Sequence, residues 1–448
     1  MKKIRLTLLL ALSSFIGQAQ VPEHFKDSLQ NILNSFQSAN TIPGISAAVQ
    51  INNIGLWQGA TGESHAGIPL DTTMLLGIGS NTKLFTSVLC LKLVEQNILT
   101  LEDSLHEWLP NYNYVDSNIT IRQLLQHQSG VDDYTNTSSF PNNVLSSPNT
   151  IWTPQDILNE IGPSNFQAGT SIAYSNTNYI LAGMILEAAT GTTYNILVKD
   201  SIFTPLGLNQ AFVEGFEPVQ GVAAHPWWNG TDYFSTPRTA IGTLSWSAGC
   251  IVSKPSEMAR WYDALFNSNF LNSQSIAEMT NFINWPEETT EVGLGVFKIN
   301  HNSKVYWGHN GRTLGYSSYF IFDTDCNHSI AVIMNDITFA NPEPIAKALA
   351  EKICELTSTT LDIIDYPNDN IRIYPNPNSE YITIDGYSNL LSISIYDVTG
   401  KIINRFDEPN NESVSINTSE FLDGTYFISI LTNTGITTKK IITLHNKK

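Results

Sequence analysis

A change in sequence character near residue 357 constrains the fold of this chain more than any other feature. Residues 357–370 (TSTTLDIIDYPNDN) have the composition of a linker. Residues 371–448 then hold short runs of alternating apolar and polar residues separated by turn signals, which predicts a small all-β sandwich. Because 448 residues exceed one ordinary core, we expect residues 20–356 to form a separate domain.

The first 19 residues have the pattern of a secretory signal peptide. Three cations, Lys2, Lys3 and Arg5, precede a short apolar core, and small residues follow it up to Ala19. We therefore predict that residues 1–19 are removed by cleavage after Ala19, with a first core helix as the alternative. No cysteine follows the predicted cut, which argues against a lipoprotein anchor.

The balance of charge excludes two classes of partner. The chain holds 23 Lys and Arg residues against 41 Asp and Glu residues, a net charge of -18. Nucleic-acid-binding proteins present basic surfaces, and anionic lipids attract basic segments, so neither partner is expected. No interior apolar run is long enough to form a transmembrane segment.

The predicted domain at 20–356 mixes strands and helices. Strand-like segments lie near both of its ends and helix-like segments lie between them, which predicts an α+β fold with a helical insertion. A β-hairpin is expected where the runs GISAAVQI and GLWQGATG flank a short polar turn. The apolar spacing predicts helices at 22–38, 81–97, 101–109, 120–128, 178–190, 254–267 and 343–356, and strands at 304–310, 315–323 and 328–335.

The first candidate catalytic pair lies in the segment GIGSNTKLFTS. Ser80 and Lys83 are one helical turn apart, so their side chains share one face of the predicted helix. A serine hydroxyl needs a base to take its proton, and a lysine amine becomes such a base where burial lowers its pKa. The apolar helix provides that burial, and its start leaves the backbone N–H of Ser80 free to stabilise an oxyanion. An N-cap serine beside a solvated lysine is the alternative interpretation.

A second candidate segment, GTSIAYSN, ends just before a predicted helix. The phenol of Tyr174 could shuttle a proton beside an ammonium group. Asn176, two residues on, could hold a substrate amide or the lysine itself. The same Tyr-x-Asn spacing occurs at Tyr134 and Asn136, which we regard as the decoy because no Gly-Thr turn precedes it.

A third candidate segment, GHNG, lies on a predicted strand edge. His309 could place a proton donor or a cation opposite Ser80. Gly311 would let a substrate backbone approach the strand. The alternative is a strand histidine whose hydrogen bonds are satisfied by its neighbours.

Together these segments resemble the serine β-lactamase and penicillin-binding-protein superfamily, in the branch of class C lactamases and D-Ala-D-Ala carboxypeptidases. The runs LLQHQSG at 124–130 and SAGCIVS at 247–253 add to this resemblance, which covers roughly residues 22–356. It implies an antiparallel sheet flanked by helices, with the active site where the sheet meets an all-helical part.

The resemblance also implies a role for each candidate residue. Ser80 would be the acylated nucleophile, Lys83 its base and Tyr174 the proton shuttle. Asn176 would bind the substrate amide, and the backbone N–H groups of Ser80 and Arg312 would stabilise the oxyanion. No cofactor and no metal ion are expected.

One departure from the class C pattern affects the expected substrate. Those lactamases carry Lys-Thr-Gly where this chain has His309-Asn310-Gly311, and a mostly neutral histidine binds the carboxylate of a β-lactam less well than a lysine does. The side chain of Arg312 is the candidate to compensate. We therefore expect a secreted serine hydrolase acting through a Ser80 acyl-enzyme on small amides or esters, peptidoglycan-derived peptides among them, as D-Ala-D-Ala carboxypeptidases, D-aminopeptidases and esterases do. A true class C-like β-lactamase and a non-catalytic peptidoglycan-binding protein are the alternatives.

The tail at 371–448 resembles the C-terminal sorting domain of the type IX secretion system. The matching features are the run IYPNP at 373–377, the turn at Gly400-Lys401 and the lysines near the end of the chain. This resemblance implies contact with the secretion machinery, transit through the periplasm, and an extracellular or outer-surface location. A carbohydrate-binding or surface-binding β-sandwich is the alternative.

The cysteine pattern leaves two interpretations open. Cys90, Cys250, Cys326 and Cys354 form no C-x-x-C pair, so a zinc site is disfavoured, and export permits disulfides. If the helix at 343–356 runs back along the preceding strand, its end brings Cys354 towards Cys326, and we predict a disulfide between them. Buried free thiols are the alternative.

Overall fold

The computed structural model describes residues 21–40, 42–137, 144–285, 290–338, 341–359, 371–387, 390–398, 401–407, 413–432 and 435–445. The chain divides after Cys354 into two compact units, which are described separately. The predicted signal peptide at 1–19 and residues 360–370 of the predicted linker lie outside the described residues.

An antiparallel sheet organises the first unit. The strands are β1 Gly44–Ile51, β2 Gly55–His65, β3 Ile68–Pro69, β4 Leu76–Gly77, β5 Phe212–Val213, β6 Trp227–Trp228, β7 Thr231–Asp232, β8 Ile251–Ser253, β9 Ile283–Asn284, β10 Thr290–Val292, β11 Phe297–His301, β12 Lys304–Thr313, β13 Tyr316–Asp323 and β14 His328–Met334. Nine of these described strands form one sheet in the order β3-β2-β1-β14-β13-β12-β11-β10-β9. The expected α+β fold is thus confirmed, whereas the sequence did not predict β9, β10 and β11.

Helices cover the sheet and form a separate helical part. They are α1 Glu23–Asn40, α2 Thr82–Glu95, α3 Leu105–Trp108, α4 Ile121–Leu125, α5 Pro154–Leu158, α6 Thr177–Thr190, α7 Tyr194–Val198, α8 Thr204–Leu206, α9 Thr239–Gly249, α10 Pro255–Asn267, α11 Ser273–Met279 and α12 Glu343–Thr359. A π-helical turn at Lys199–Phe203 joins α7 to α8.

Local sequence explains both the elements that form and those that stop early. The hairpin of β1 and β2 closes over Asn52-Asn53-Ile54, and Asn53 takes the left-handed backbone conformation that asparagine tolerates well. Ser104 and Thr120 are the N-cap residues of α3 and α4, each in a capping box, so α3 begins at Leu105 and not at residue 101 as predicted. His127 has a φ of 58°, which prevents α4 from continuing to residue 128.

Helix α2 is the centre of the helical part. Its side chains are buried on nearly all sides, as expected for a helix that is apolar all round. Helices α6 and α9 pack against it, and the short turn before α2 packs against β12. The start of α2 therefore lies where the sheet meets the helical part.

The second unit is a small β-sandwich. Its strands are β15 Arg372–Tyr374, β16 Tyr381–Asp385, β17 Leu390–Asp397, β18 Ile402–Asp407, β19 Ser413–Asn417, β20 Gly424–Thr432 and β21 Gly435–Thr443. They form sheets of order β15-β16-β19 and β18-β17-β20-β21 around an isoleucine-rich core. Asn376 of the YPNP run bonds to the last strand: its Nδ2 donates to Lys440 O (3.0 Å) and its Oδ1 accepts from Ile442 N (2.8 Å).

Candidate active site

Ser80 lies in a single 3₁₀ turn, Gly79–Asn81, directly before α2. Gly79 has a φ of 54°, and a Cβ built on it would lie 2.6 Å from the backbone N of Arg312. A Cβ built on Gly311 would overlap the carbonyl oxygen of Ile78. The two glycines thus let this turn pack against β12, and the turn that carries Ser80 fills the position that a Cβ of Gly311 would occupy.

Buried hydrogen bonds hold the same turn from the other side. Asn81 Nδ2 donates to Ser318 Oγ (2.8 Å), and Ser318 Oγ donates to Ile78 O (2.7 Å). Tyr262 OH donates to Asn81 Oδ1 (3.1 Å). The position of Ser80 is therefore determined by β12, β13 and α10 as well as by its own helix.

Lys83 is completely buried, and three groups surround its amine. Nζ lies 3.0 Å from Ser80 Oγ, 2.7 Å from Asn176 Oδ1 and 2.8 Å from the carbonyl oxygen of Ala248. The last two atoms can only accept hydrogen bonds, so they occupy two N–H groups of a neutral amine. The remaining lone pair then faces the hydroxyl of Ser80.

Burial lowers the pKa of Lys83 to about 7, and the negative charge of Asp133 opposes this shift. A lysine with this pKa is largely unprotonated at slightly alkaline pH. The amine is therefore chemically suited to act as a base at the Ser80 hydroxyl.

Tyr174 approaches the same hydroxyl from the loop before α6. Its ring centroid lies 5.0 Å from Lys83 Nζ, and the Ser80 side chain is near enough to lower the pKa of the phenol, against the larger effect of burial. Burial raises the pKa of Tyr174 far above its ordinary value, so the phenol stays protonated at neutral pH. The ring stacks on His127 with 4.4 Å between centroids.

Asn176, at the start of α6, uses both ends of its amide inside the protein. Its Oδ1 accepts from Lys83 Nζ, while its Nδ2 donates to Asp133 Oδ2 (3.0 Å) and Thr135 Oγ1 (3.2 Å). The sequence analysis expected Asn176 to hold either a substrate amide or Lys83, and in the structure its side chain contacts Lys83.

His309 lies on β12 facing the same region, with its ring centroid 6.2 Å from that of Tyr174. Its Nδ1 is hydrogen-bonded to the carbonyl oxygen of Asn310, so the proton of the neutral ring is on Nδ1. Burial, together with the charge of Lys83, lowers the pKa of His309 to about 3. His309 is therefore neutral, and the expectation that it supplies a cation opposite Ser80 is not supported.

These residues line one cavity of about 870 Å³. Ser80, Tyr174, Asn176, His309 and Gly311 all border it, and the exposed side chain of Arg312 lies on its wall. Much of the remaining lining is apolar and includes Val144, Leu145, Trp228, Ile241, Trp285, Phe297 and Ile299. The structure thus brings together all seven residues singled out in the sequence. The decoy Tyr134 also borders the cavity, but its hydroxyl donates to Leu244 O (2.9 Å).

Comparison with known proteins identifies the family. Residues 29–353, well over half of the chain, match the Beta-lactamase family. The chain belongs to the β-lactamase family. Members of this family are typically serine hydrolases.

The second unit has its own match. Residues 372–444 match the secretion system C-terminal sorting domain, which implies secretion across the outer membrane.

Several known proteins are similar along most of the first unit. A D-stereospecific amidohydrolase from Streptomyces sp. is 28% identical, with a TM-score of 0.64 over 74% of this chain and 97% of that chain. The D-amino acid amidase of Ochrobactrum anthropi SV3 is 25% identical, with a TM-score of 0.63 over 74% and 99%. Penicillin-binding protein 4* of Bacillus subtilis (strain 168) is 28% identical over 71% of this chain and 74% of that protein. The chain spans about half the length of some other curated relatives.

The sequence did not reveal every side chain at the site of this β-lactamase family member. Asp133 and His127 were not predicted, although LLQHQSG had been noted as part of the resemblance. The backbone carbonyl oxygen of Ala248 also accepts a hydrogen bond from Lys83. Ala248 lies two residues after Trp246, whose backbone is strained inside α9 (φ 32°, ψ -125°). The run SAGCIVS was the available signal for this turn, but nothing in it predicted a contact with Lys83.

The cysteines form no metal site in the described part of the chain. Asp323, Cys326 and Cys354 have ligand atoms within 4.8 Å of one another. Cys326 and Cys354 are joined by a disulfide with 5.8 Å between Cα atoms, so their thiols are not available as ligands. The predicted disulfide is thus confirmed, while Cys90 and Cys250 are buried free thiols. No helix among the described residues is long and apolar enough to cross a membrane.

Proposed function

We propose that this protein is a serine hydrolase that forms an acyl-enzyme at Ser80 and cleaves small amides and esters. One observation carries this proposal: the amine of Lys83 lies 3.0 Å from Ser80 Oγ and is also held by two acceptors, so that a neutral amine would present its lone pair to the hydroxyl. The Tyr174 phenol, which borders the same cavity beside Ser80 and Lys83, supplies a second proton-transfer group.

Acylation follows from this arrangement. Lys83 takes the proton of Ser80, and Oγ attacks the substrate carbonyl carbon while the backbone N–H groups of Ser80 and Arg312 stabilise the oxyanion. When the carbon–nitrogen or carbon–oxygen bond breaks, Tyr174 donates its proton to the leaving group. The Lys83 ammonium then returns a proton to the phenol, so both groups regain their initial states.

Deacylation reverses the order of proton transfers. A water molecule attacks the acyl carbon and gives up a proton through Tyr174 to Lys83. Lys83 then gives this proton to Ser80 Oγ as the bond between Oγ and the acyl carbon breaks, and the acid product dissociates. Ser80, Lys83, Tyr174 and the two backbone N–H groups are sufficient for both halves of the reaction.

The cavity favours an apolar acyl group. Many of its lining side chains are aliphatic or aromatic, and the neutral His309 does not supply the positive charge that a lysine at that position would offer to the carboxylate of a β-lactam. Similarity to a D-stereospecific amidohydrolase adds D-amino acid amides to the candidate substrates. We therefore favour amides and esters of apolar D-amino acids over β-lactams.

A substrate panel tests this choice. We expect D-phenylalanine p-nitroanilide and a short-chain p-nitrophenyl ester to be hydrolysed with a kcat/KM at least about 100-fold above that for nitrocefin. The L-phenylalanine p-nitroanilide serves as the matched control for stereospecificity. Preferential hydrolysis of nitrocefin would show a β-lactamase instead. A protein that turns over no substrate and gives no Ser80 adduct with a fluorophosphonate would be a binding protein.

The reaction should speed up as the pH rises through about 7. The base must be unprotonated, and burial gives Lys83 a pKa of about 7, so kcat/KM should fall with decreasing pH below this value and level off above it. His309, with a pKa of about 3, stays neutral throughout and adds no second limb. The measurement is kcat/KM for the ester from about pH 5 to 9. A profile that is flat across this range would contradict the role of Lys83.

We place this activity outside the cell. The sorting-domain match supports export of the whole chain, and the predicted signal peptide would provide passage into the periplasm. The finished enzyme would be extracellular or attached to the outer surface.

A further inference from the structure

A buried carboxylate lies directly behind Asn176. Asp133 is 5% exposed, and its Oδ2 accepts a hydrogen bond from Asn176 Nδ2 at 3.0 Å, with Oδ1 at 3.3 Å. Thr135 N donates to Asp133 Oδ1 at 3.0 Å, which fixes the carboxylate at the start of a 3₁₀ turn. Asp133 makes no direct hydrogen bond to Lys83, so any effect on the base passes through Asn176 or through its charge.

The chemistry of the two groups determines which way the amide points. A carboxylate only accepts hydrogen bonds, so the NH₂ end of Asn176 must face Asp133. The carbonyl end must then face Lys83, which agrees with the 2.7 Å separation between Nζ and Oδ1. A reversed amide would point N–H groups at the amine and remove one of its two acceptors.

The charge of Asp133 also acts on Lys83. The other titratable groups around the amine are neutral in the described part of the chain: the imidazoles of His127 and His309 and the phenols of Tyr174 and Tyr179. Asp133 is the one anion that opposes the effect of burial on the pKa of Lys83. Burial in turn raises the pKa of Asp133 itself, while hydrogen bonds from Thr135 act in the opposite direction.

We propose that Asp133 is a positioning residue of the reaction at Ser80: it holds the Asn176 amide in the orientation that aims the Lys83 lone pair at the nucleophile. This inference rests on the proposed function, because it concerns how the base of that reaction is aimed. It adds to the expected machinery a residue that touches neither the substrate nor Ser80.

Asp133→Asn tests the proposal with little change in shape. The new amide can present either end to Asn176, so the orientation of Asn176 is no longer unique. We expect kcat/KM on the pH plateau to fall about 10-fold or more, because misplacing a catalytic group by a small distance has effects of this size. We also expect the acid limb to move to lower pH by about half a unit or more, since removing the anion favours the neutral amine.

Two further variants separate the contributions. Thr135→Val removes an acceptor of the Asn176 amide but no charge, so it should lower kcat/KM while leaving the midpoint of the acid limb in place. Asp132→Asn is the matched control, because its carboxylate accepts from Gly162 N (2.9 Å) and does not contact Asn176. It should match the parent enzyme in both the plateau and the limb.

The rate at which a fluorophosphonate labels Ser80 gives the same information without any substrate. Labelling of the parent protein with a limb near pH 7 supports the proposed function, and its complete absence overturns that function. Given a labelled parent, a displaced limb and slower labelling in a folded Asp133→Asn variant support the role of Asp133. A folded variant whose limb is unmoved, with a labelling rate within about 2-fold of the parent, overturns the proposal about Asp133 alone.

Discussion

The Ser80→Ala variant is expected to lose essentially all hydrolytic activity. The hydroxyl is the one group that forms a bond to the substrate, and removing such a nucleophile lowers kcat by about 10⁴-fold or more in serine hydrolases. The measurement is kcat/KM for the p-nitrophenyl ester. Mass spectrometry after fluorophosphonate treatment should show one adduct in the parent protein and none in the variant. The fold should survive, because the Ser80 side chain is not among the groups that anchor its turn to Ser318 and Tyr262.

Ser245→Ala is the matched control for this experiment. Ser245 borders the same cavity, but its hydroxyl bonds to its own helix and makes no contact with Lys83. This variant should keep its activity and its adduct. Retention of the adduct in Ser80→Ala would mean that another residue is acylated and would refute the assignment of the nucleophile.

The Lys83→Met variant is expected to lower kcat/KM by about 10³-fold or more. Methionine approximates the length of the lysine side chain but cannot take a proton, and general-base catalysis contributes effects of about 10²- to 10⁴-fold. The remaining activity should also lose its dependence on pH near 7, because the group responsible for that limb is gone. The measurement is kcat/KM across the pH range, with a thermal melt to show that the fold is intact.

Lys92→Met on the same helix provides the control. Lys92 lies over the ring of Phe270, with 3.9 Å from Nζ to the centroid, and does not border the cavity. Its variant should keep both the rate and the acid limb. If Lys83→Met retained a limb near pH 7, another group would have to be the base, and the assignment of Lys83 would be wrong.

Local patterns in the sequence were sufficient for the features that depend on neighbouring residues. The apolar run after Ser80 predicted a buried helix, and the spacing of Ser80 and Lys83 predicted that they share a face, since helical geometry fixes both. The β1–β2 hairpin and the strands β12 to β14 followed in the same way from alternation and turn residues. That distant segments such as those of Ser80, Tyr174 and His309 meet at one site was predicted from the family resemblance, because the local alternation of apolar and polar residues does not show which segments are neighbours.

The contacts that depend on distant segments were beyond the sequence patterns. Strands β9 to β11 are short, so their assignment depends on pairing: β11 pairs with β12, β10 with β11 and β9 with β10. Asp133 was missed for a similar reason, because its link to the site is a hydrogen bond from Asn176, which is 43 residues away in the sequence. His127 likewise gains its contact with Tyr174 only because the two loops meet in space.

The sequence by itself determined which chemical groups were available and which of them share a helix, because helix and strand periodicity are local properties. Only the tertiary structure decided the state of those groups. The pKa of Lys83 is about 7 and that of His309 about 3 because the surrounding segments exclude water from both. A neutral Lys83 amine would present its lone pair to Ser80 because Asn176 and Ala248, from two distant segments, accept from its N–H groups. Burial and hydrogen-bond direction are set by packing between segments, and no single stretch of sequence contains them.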